Sequence, residues 1–142
     1  MNIKGHLLKI LLLFVLVGSI VNADIRVIPI YEINGNNVYY RTENGLKKLP
    51  NADAKTFEIL GYYIAKDKKN VYYKGKKMEN VDSASVKTFG NFIGKDKNRV
   101  FYITGNEDVK DADASSFEMM GDTRYFRDKN NIFVIKYSND FP

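Results

Sequence analysis

One phrase recurs along this chain: Asp67-Lys68-Lys69-Asn70-Val71-Tyr72-Tyr73, then Asp96-Lys97-Asn98-Arg99-Val100-Phe101-Tyr102, then Asp128-Lys129-Asn130-Asn131-Ile132-Phe133-Val134. The copies start 29 and 32 residues apart, and a degenerate copy, Asn34-Gly35-Asn36-Asn37-Val38-Tyr39-Tyr40, starts 33 residues before the first. A period in this range marks a stacked supersecondary unit, in which each unit covers its neighbour's apolar face. The fold is therefore set by what one unit builds.

The order of parts is constant. Asp-Lys-x-Asn between apolar stretches is a turn, because Asp and Asn side chains bond nearby backbone. Val-Tyr-Tyr and Val-Phe-Tyr are β-branched plus aromatic and suit a pleated, half-buried strand. Glycine pairs follow (Asn44-Gly45, Lys74-Gly75, Gly105-Asn106) and close a second hairpin. Then comes an acid-led segment: Asp53 to Phe57, Asp82 through Lys87-Thr88-Phe89, and Asp113 to Phe117. Asp53, Asp82 and Asp113 are expected to cap a short helical turn, with Phe57, Phe89 and Phe117 plugging the core. The predicted class is mainly β: tandem repeats of about thirty residues, short antiparallel hairpins each with a short helical turn, around one aromatic-rich core. The repeats run 31–65, 66–94 and 95–127, with a partial one over 128–140.

Residues 1–23 read as a secretory signal peptide. Lys4 and Lys9 precede an apolar run from Ile10, and Val21-Asn22-Ala23 supplies a small-residue exit. The run is short of the about 20 apolar residues a membrane-spanning helix needs. Domain 24–142 is then exported, to a periplasm or a cell surface, with no stable membrane insertion after cleavage.

Export permits disulfides, yet the chain has no Cys. Packing must therefore hold the fold, and burying each Phe-sized side chain stabilises by about 1.5–3 kcal/mol. The sole histidine, His6, lies in the leader. Residues 24–142 thus lack the residue types for Ser-His-Asp and Cys-His catalysis and for Cys/His zinc sites. A carboxylate-only hydrolase survives this deletion, with Glu58 and Glu118 as candidates one residue after a repeat Phe. Their recurrence with the scaffold points instead to structure, and the chain is read as a non-enzyme without cofactor. The Asp-x-Asn spacing at Asp96 and Asp128 also opens many calcium loops. Calcium takes about six to eight oxygens, and no second acid follows within six residues of Asp67, Asp96 or Asp128.

Without Lys4 and Lys9, the 22 basic residues fall to 20 against 17 acidic, a net of +3 rather than +5. Residues 41–77 are the basic stretch. One reading is a face for an anionic envelope polymer; the plainer one is lysines blunting strand edges. Nucleic acid does not fit an exported chain of such mild charge.

The phrase with its glycine turn resembles the DKNYY family of bacterial exported repeat proteins, over roughly residues 31–137. The resemblance implies a repeat scaffold and carries over no catalytic residue. Lys69, Arg99, Phe133-Val134 and Asn34-Gly35 depart from the family phrase, and the departures at the two ends are those expected of capping repeats.

Strand alternation puts Val71 and Tyr73 on one face and Tyr72 on the other. A row of second-position aromatics is therefore the expected binding surface: Tyr39, Tyr72 and Phe101, with Lys74 and Lys76. The expected function is a structural or binding module of the cell envelope, its partner a polymer or a protein. The alternative is an inhibitor or immunity-type protein that binds a partner protein.

Overall fold

The computed structural model describes residues 30–121 and 124–135. The expected leader at 1–23, the start of the domain expected from residue 24 and the end of the partial repeat lie outside the described residues. Among the described residues thirteen short strands form four antiparallel sheets. Sheet 1 is β1 (Tyr31–Asn34), β2 (Asn37–Thr42) and β3 (Gly45–Lys48); sheet 2 is β4 (Glu58–Ile59), β5 (Ile64–Lys66), β6 (Val71–Tyr73) and β7 (Lys76–Met78). Sheet 3 is β8 (Lys87–Phe89), β9 (Ile93–Lys95) and β10 (Val100–Tyr102), extended by a bridge from Phe101 to Asp108. Sheet 4 is β11 (Glu118–Met119), β12 (Tyr125–Arg127) and β13 (Ile132–Val134). Each sheet is a meander, and in sheets 2 to 4 the phrase forms its central hairpin.

The hairpin loop follows from the phrase. Pairing of Lys66 with Val71 leaves Asp67 to Asn70 as the loop. Asp67 N–H donates to the Asn70 carbonyl at 2.9 Å, and Asp96 and Asp128 repeat the bond to Arg99 and Asn131 at 3.0 Å. The Asp side chain then does two jobs. Its Oδ1 accepts the next backbone N–H groups, from Lys69 and Asn70 at 2.8 and 2.7 Å in the first copy. Its Oδ2 reaches the acid-led turn: Asp67 accepts from Asp53 N–H at 3.0 Å, Asp96 from Asp82 at 2.8 Å and Asp128 from Asp113 at 2.7 Å.

The lysine of the phrase clamps the same turn. Lys68, Lys97 and Lys129 donate backbone N–H to the hydroxyls of Thr56, Ser85 and Ser116, at 3.1, 3.0 and 3.0 Å. Their ammoniums lie 3.4, 3.5 and 2.9 Å from Asp53, Asp82 and Asp113. These contacts correct the expected alignment. The equivalents of Thr56-Phe57 and Ser116-Phe117 are Ser85-Val86, not Thr88-Phe89, since the hydroxyl must stand three residues after the acid to meet the lysine. Val86 is accordingly buried, while Phe89 lies in β8.

The expected short helical turn is also corrected: the described residues contain no helix. Each acid closes one turn, as in the bonds of Val86 and Phe117 N–H to the Asp82 and Asp113 carbonyls, both 3.0 Å. The chain then enters a strand. A helix nucleus fixes several residues for its first bond and needs further turns to offset that cost.

The sheets stack face to face. Directly paired residues share a face, so Ile64, Val71 and Met78 look one way and Ala65 and Tyr72 the other. The first set packs with Phe101 of sheet 3, the second with Tyr31 and Val38 of sheet 1. Sheet 3 repeats this, sending Ile93 and Val100 to Phe117 and Phe126 beside sheet 4. Three clusters therefore lie between four layers, in place of the single core expected. In the two doubly covered sheets the aromatic at the second position has a small residue across from it: Ala65 faces Tyr72, and Gly94 faces Phe101. A Cβ on Gly94 would stand 2.6 Å from the Phe101 ring.

Candidate binding surface

Stacking decides where the expected surface residues go. Tyr72 and Phe101 are 4% and 0% exposed, so neither can meet a ligand. Sheets 2 and 3 are covered on both faces, and alternation there selects between two cores rather than between core and solvent. The Tyr72 hydroxyl donates to Asp67 Oδ2 at 2.8 Å. Burial, reinforced by that bond, pushes its pKa up to about 12. Tyr39 is half-buried on the outer face of sheet 1, cross-strand from Glu32 and Lys48. Lys74 and Lys76 are exposed at the opposite end of β6 from the Asp67 loop.

Around Lys74 the structure assembles residues that the alternation argument passed over. Tyr73 pairs with Lys76, which leaves Lys74-Gly75 as a two-residue loop. Both have positive φ, 48° and 71°. That is the hairpin turn matched to strand twist, and it favours Asn, Asp or Gly at its first position. A Lys there carries a backbone cost. Its N–H donates to the Tyr63 carbonyl at 2.9 Å. Its ammonium stands over two rings, 5.0 Å from the Tyr63 centroid and 5.6 Å from that of Tyr73. Such cation–ring contacts contribute about 0.5–1 kcal/mol at exposed sites.

Sheet 1 braces this turn. The buried Tyr31 hydroxyl accepts the Gly75 N–H at 3.1 Å and donates to the Tyr63 carbonyl at 2.9 Å. The Tyr40 ring lies against Gly75 so closely that a Cβ there would stand 2.7 Å from it. Tyr62 packs edge-on to Tyr63 at 4.6 Å, and Tyr63 to Tyr73 at 6.3 Å. The Tyr62 N–H is fixed by Asn91 Oδ1 at 3.1 Å. Burial and then the neighbouring phenols raise the pKa of Tyr40 and Tyr73. The patch therefore holds neutral phenols around one ammonium. Among the described residues no carboxylate lies within ion-pair distance of Lys74, whereas Lys68, Lys97 and Lys129 of the phrase are paired.

The patch is particular to the sheet 2 copy, with Tyr31 and Tyr40 of sheet 1 set against it. Where it has Lys74, the other copies have Arg41 and the buried Ile103 and Ile135. The signals legible in the sequence were the Tyr62-Tyr63 doublet and a Lys where a tight turn asks for Asn or Gly. An open depression of about 530 Å³ lies by the loops of sheets 2 and 3, with Lys69, Lys77 and Arg99 in its lining. Its cations are largely spent: Lys77 pairs with Glu79 at 3.5 Å and Arg99 with Asp108 at 2.5 Å. Glu58 and Glu118, the carboxylates weighed for hydrolysis, pair with their cross-strand partners Lys66 and Arg127 at 3.5 and 2.5 Å.

The profile of the DKNYY family matches residues 15–76 and 57–105, which together cover more than half of the chain. The chain belongs to the DKNYY family. No curated protein matches it, and no solved structure does. The DKNYY letters now have separate roles. Asp is the hub between loop and turn, Lys is the clamp, and Asn completes the loop. The first aromatic fills an interlayer core, and the second Tyr reaches the turn-side edge. The copy at 128–134, where Phe133-Val134 replaces the aromatic pair, lies beyond the matched residues.

Proposed function

We propose that this DKNYY protein is an exported, non-enzymatic binding module of the cell envelope, which holds its ligand on Tyr62, Tyr63, Tyr73 and Lys74. The observation that carries this reading is Lys74. It occupies a left-handed backbone position that costs a lysine more than an asparagine, and its ammonium is held over two rings with no carboxylate partner among the described residues. Backbone strain kept at an exposed site is a reason to look for function there. The leader supports export, and the absence of His and Cys from residues 24–142 supports binding over catalysis. The test is capture from a cell-envelope fraction by immobilised protein and by its Lys74→Asn and Tyr62→Ala variants. Retention by the parent and loss by both variants support the module; identical retention by all three overturns the assignment of the patch. Turnover of peptidoglycan or another glycan, abolished by Glu58→Gln, would overturn the non-enzyme reading.

A partner protein is the second reading, favoured by the outer face of sheet 4. Ile132, Val134 and Tyr125 are 71%, 52% and 49% exposed there, whereas Val71 and Val100, the counterparts of Ile132, and Ile64 and Ile93, those of Tyr125, are buried. An uncovered apolar sheet face of this kind suits a protein surface.

A further inference from the structure

We infer that the ligand of the Tyr–Lys patch is an acidic polysaccharide, a sugar face lying on Tyr62 and a carboxylate of the chain meeting Lys74. The inference rests on the binding-module reading and names the chemistry of its ligand. Tyr62 is 50% exposed and yet fixed in place, by the Tyr63 ring on one side and the Asn91 bond to its backbone on the other. A held, half-open ring offers an apolar surface and a hydroxyl at little entropic cost on binding. A pyranose has the matching form, a C–H-rich face with a hydroxyl rim.

The charge selects among sugars. Lys74 brings an ammonium without a carboxylate partner among the described residues, and Lys76 flanks it one residue beyond Gly75. Of the phenols beside it, Tyr40 and Tyr73 have pKa values raised by burial and remain hydroxyl donors. A ligand with negative charge spaced between hydroxyl-bearing rings satisfies all of these groups together.

The shape favours a polymer over a small molecule. The patch is a turn-side edge rather than a cleft, and Tyr40, Tyr73 and Tyr102 occupy the same register position in consecutive sheets. Stacked sheets repeat at about 10 Å, near the length of a disaccharide. An extended glycan crossing this edge meets one tyrosine per layer. A protein partner would need about 800 Å² on each side for a standard interface, more than this edge of a few rings offers.

The test is titration of the purified protein with alginate oligomers, neutral dextran of equal length and inorganic polyphosphate. Tyrosine fluorescence reads the binding, since the chain has no Trp. Saturable binding of alginate is expected, weakened about tenfold by Tyr62→Ala and by Lys74→Asn, a loss worth roughly 1.4 kcal/mol each. Dextran should bind at least about tenfold more weakly than alginate. Polyphosphate binding as tightly as alginate, with no effect of Tyr62→Ala, overturns the inference in favour of simple anion attraction. Absence of alginate binding also overturns it. In that case, patch-dependent capture of an envelope protein leaves the binding module standing, and absence of any patch-dependent capture removes both. The unfolding midpoint of each variant is measured alongside, so that loss of binding is read only on folded protein.

Discussion

The two ends of strand β6 obey different rules. At one end, both carboxylate oxygens of Asp67 are committed to the loop it closes and to the acid-led turn, and sheets 3 and 4 repeat the bond to that turn with the same residue types. At the other end, Lys74-Gly75 has no equivalent in the other copies, and its ammonium meets rings instead of a carboxylate. Three residues separate the two regimes. The Asp, Lys and first aromatic that recur with the repeat are consumed in building it, whereas the last Tyr of the phrase and the residues that differ between copies lie toward the turn-side edge.

The comparison breaks most easily at the loop end. Asp67 accepts four hydrogen bonds, from Asp53, Lys69, Asn70 and Tyr72. Asp67→Ala strands these donors in a buried site, and each buried group left unsatisfied costs about 1–3 kcal/mol. A total loss above about 3 kcal/mol is expected, a large share of a domain's 5–15 kcal/mol. Urea unfolding measures it, and a loss below about 1 kcal/mol would mean that the carboxylate is not the hub.

Gly94→Ala tests the interlayer fit. The new methyl group would press on the fully buried Phe101 ring, so overpacking of about 1–3 kcal/mol is expected in the same experiment. An unchanged midpoint would show that sheets 2 and 3 separate more readily than the packing implies.

Acid probes the hubs Asp67 and Asp128 together. Burial opposes ionisation of Asp67, but the bonds from Asp53, Lys69, Tyr72 and Asn70 outweigh it and hold its pKa below the usual range. The Asp113 N–H is the main cause of the same shift at Asp128. A lowered folded-state pKa stabilises above the unfolded value of about 3.9 and is lost as pH falls through the folded one. Midpoints in urea should therefore hold from neutrality down to about pH 5 and then drop. Asp128→Asn should flatten the drop, and a midpoint that rises on acidification would contradict the hub role.

The smallest stability change is expected at the other end. Lys74→Asn relieves the left-handed backbone and should leave the protein as stable or up to about 1 kcal/mol more so, while envelope capture falls. A destabilised variant would place Lys74 with the structural residues.

Much of the scaffold was legible in the sequence. The Asp-Lys-x-Asn turn, the hairpins and the mainly β class follow from side chains that act on their own backbone, and such local chemistry reads directly from spacing. What depended on the third dimension did not read. Two faces were visible at Val71-Tyr72, but only the stack shows that both are covered. Phe89 matched Phe57 and Phe117 by residue type, whereas Ser85 and Val86 hold the equivalent place because Lys97 selects by hydrogen-bond geometry. Tyr31, which braces the Lys74 turn across 44 residues, belongs to no repeated motif. The patch escaped for the same reason, since its rings come from β2, from the segment before β5 and from β6.

The layered clusters have a consequence for how the molecule comes apart. Sheets 2 and 3 are each gripped by two apolar clusters, sheets 1 and 4 by one. A chain built this way behaves as a row of coupled units whose stability is a sum over nearest neighbours, and it frays from its ends. Amide hydrogen exchange should be slowest in β5, β6, β9 and β10 and fastest in β3 and β13, a gradient of protection along the stack. The Lys74 turn sits in a slow-exchanging middle sheet but is braced by Tyr31 and Tyr40 of sheet 1, so opening of the sheet 1 end should loosen it while opening of sheet 4 leaves it in place.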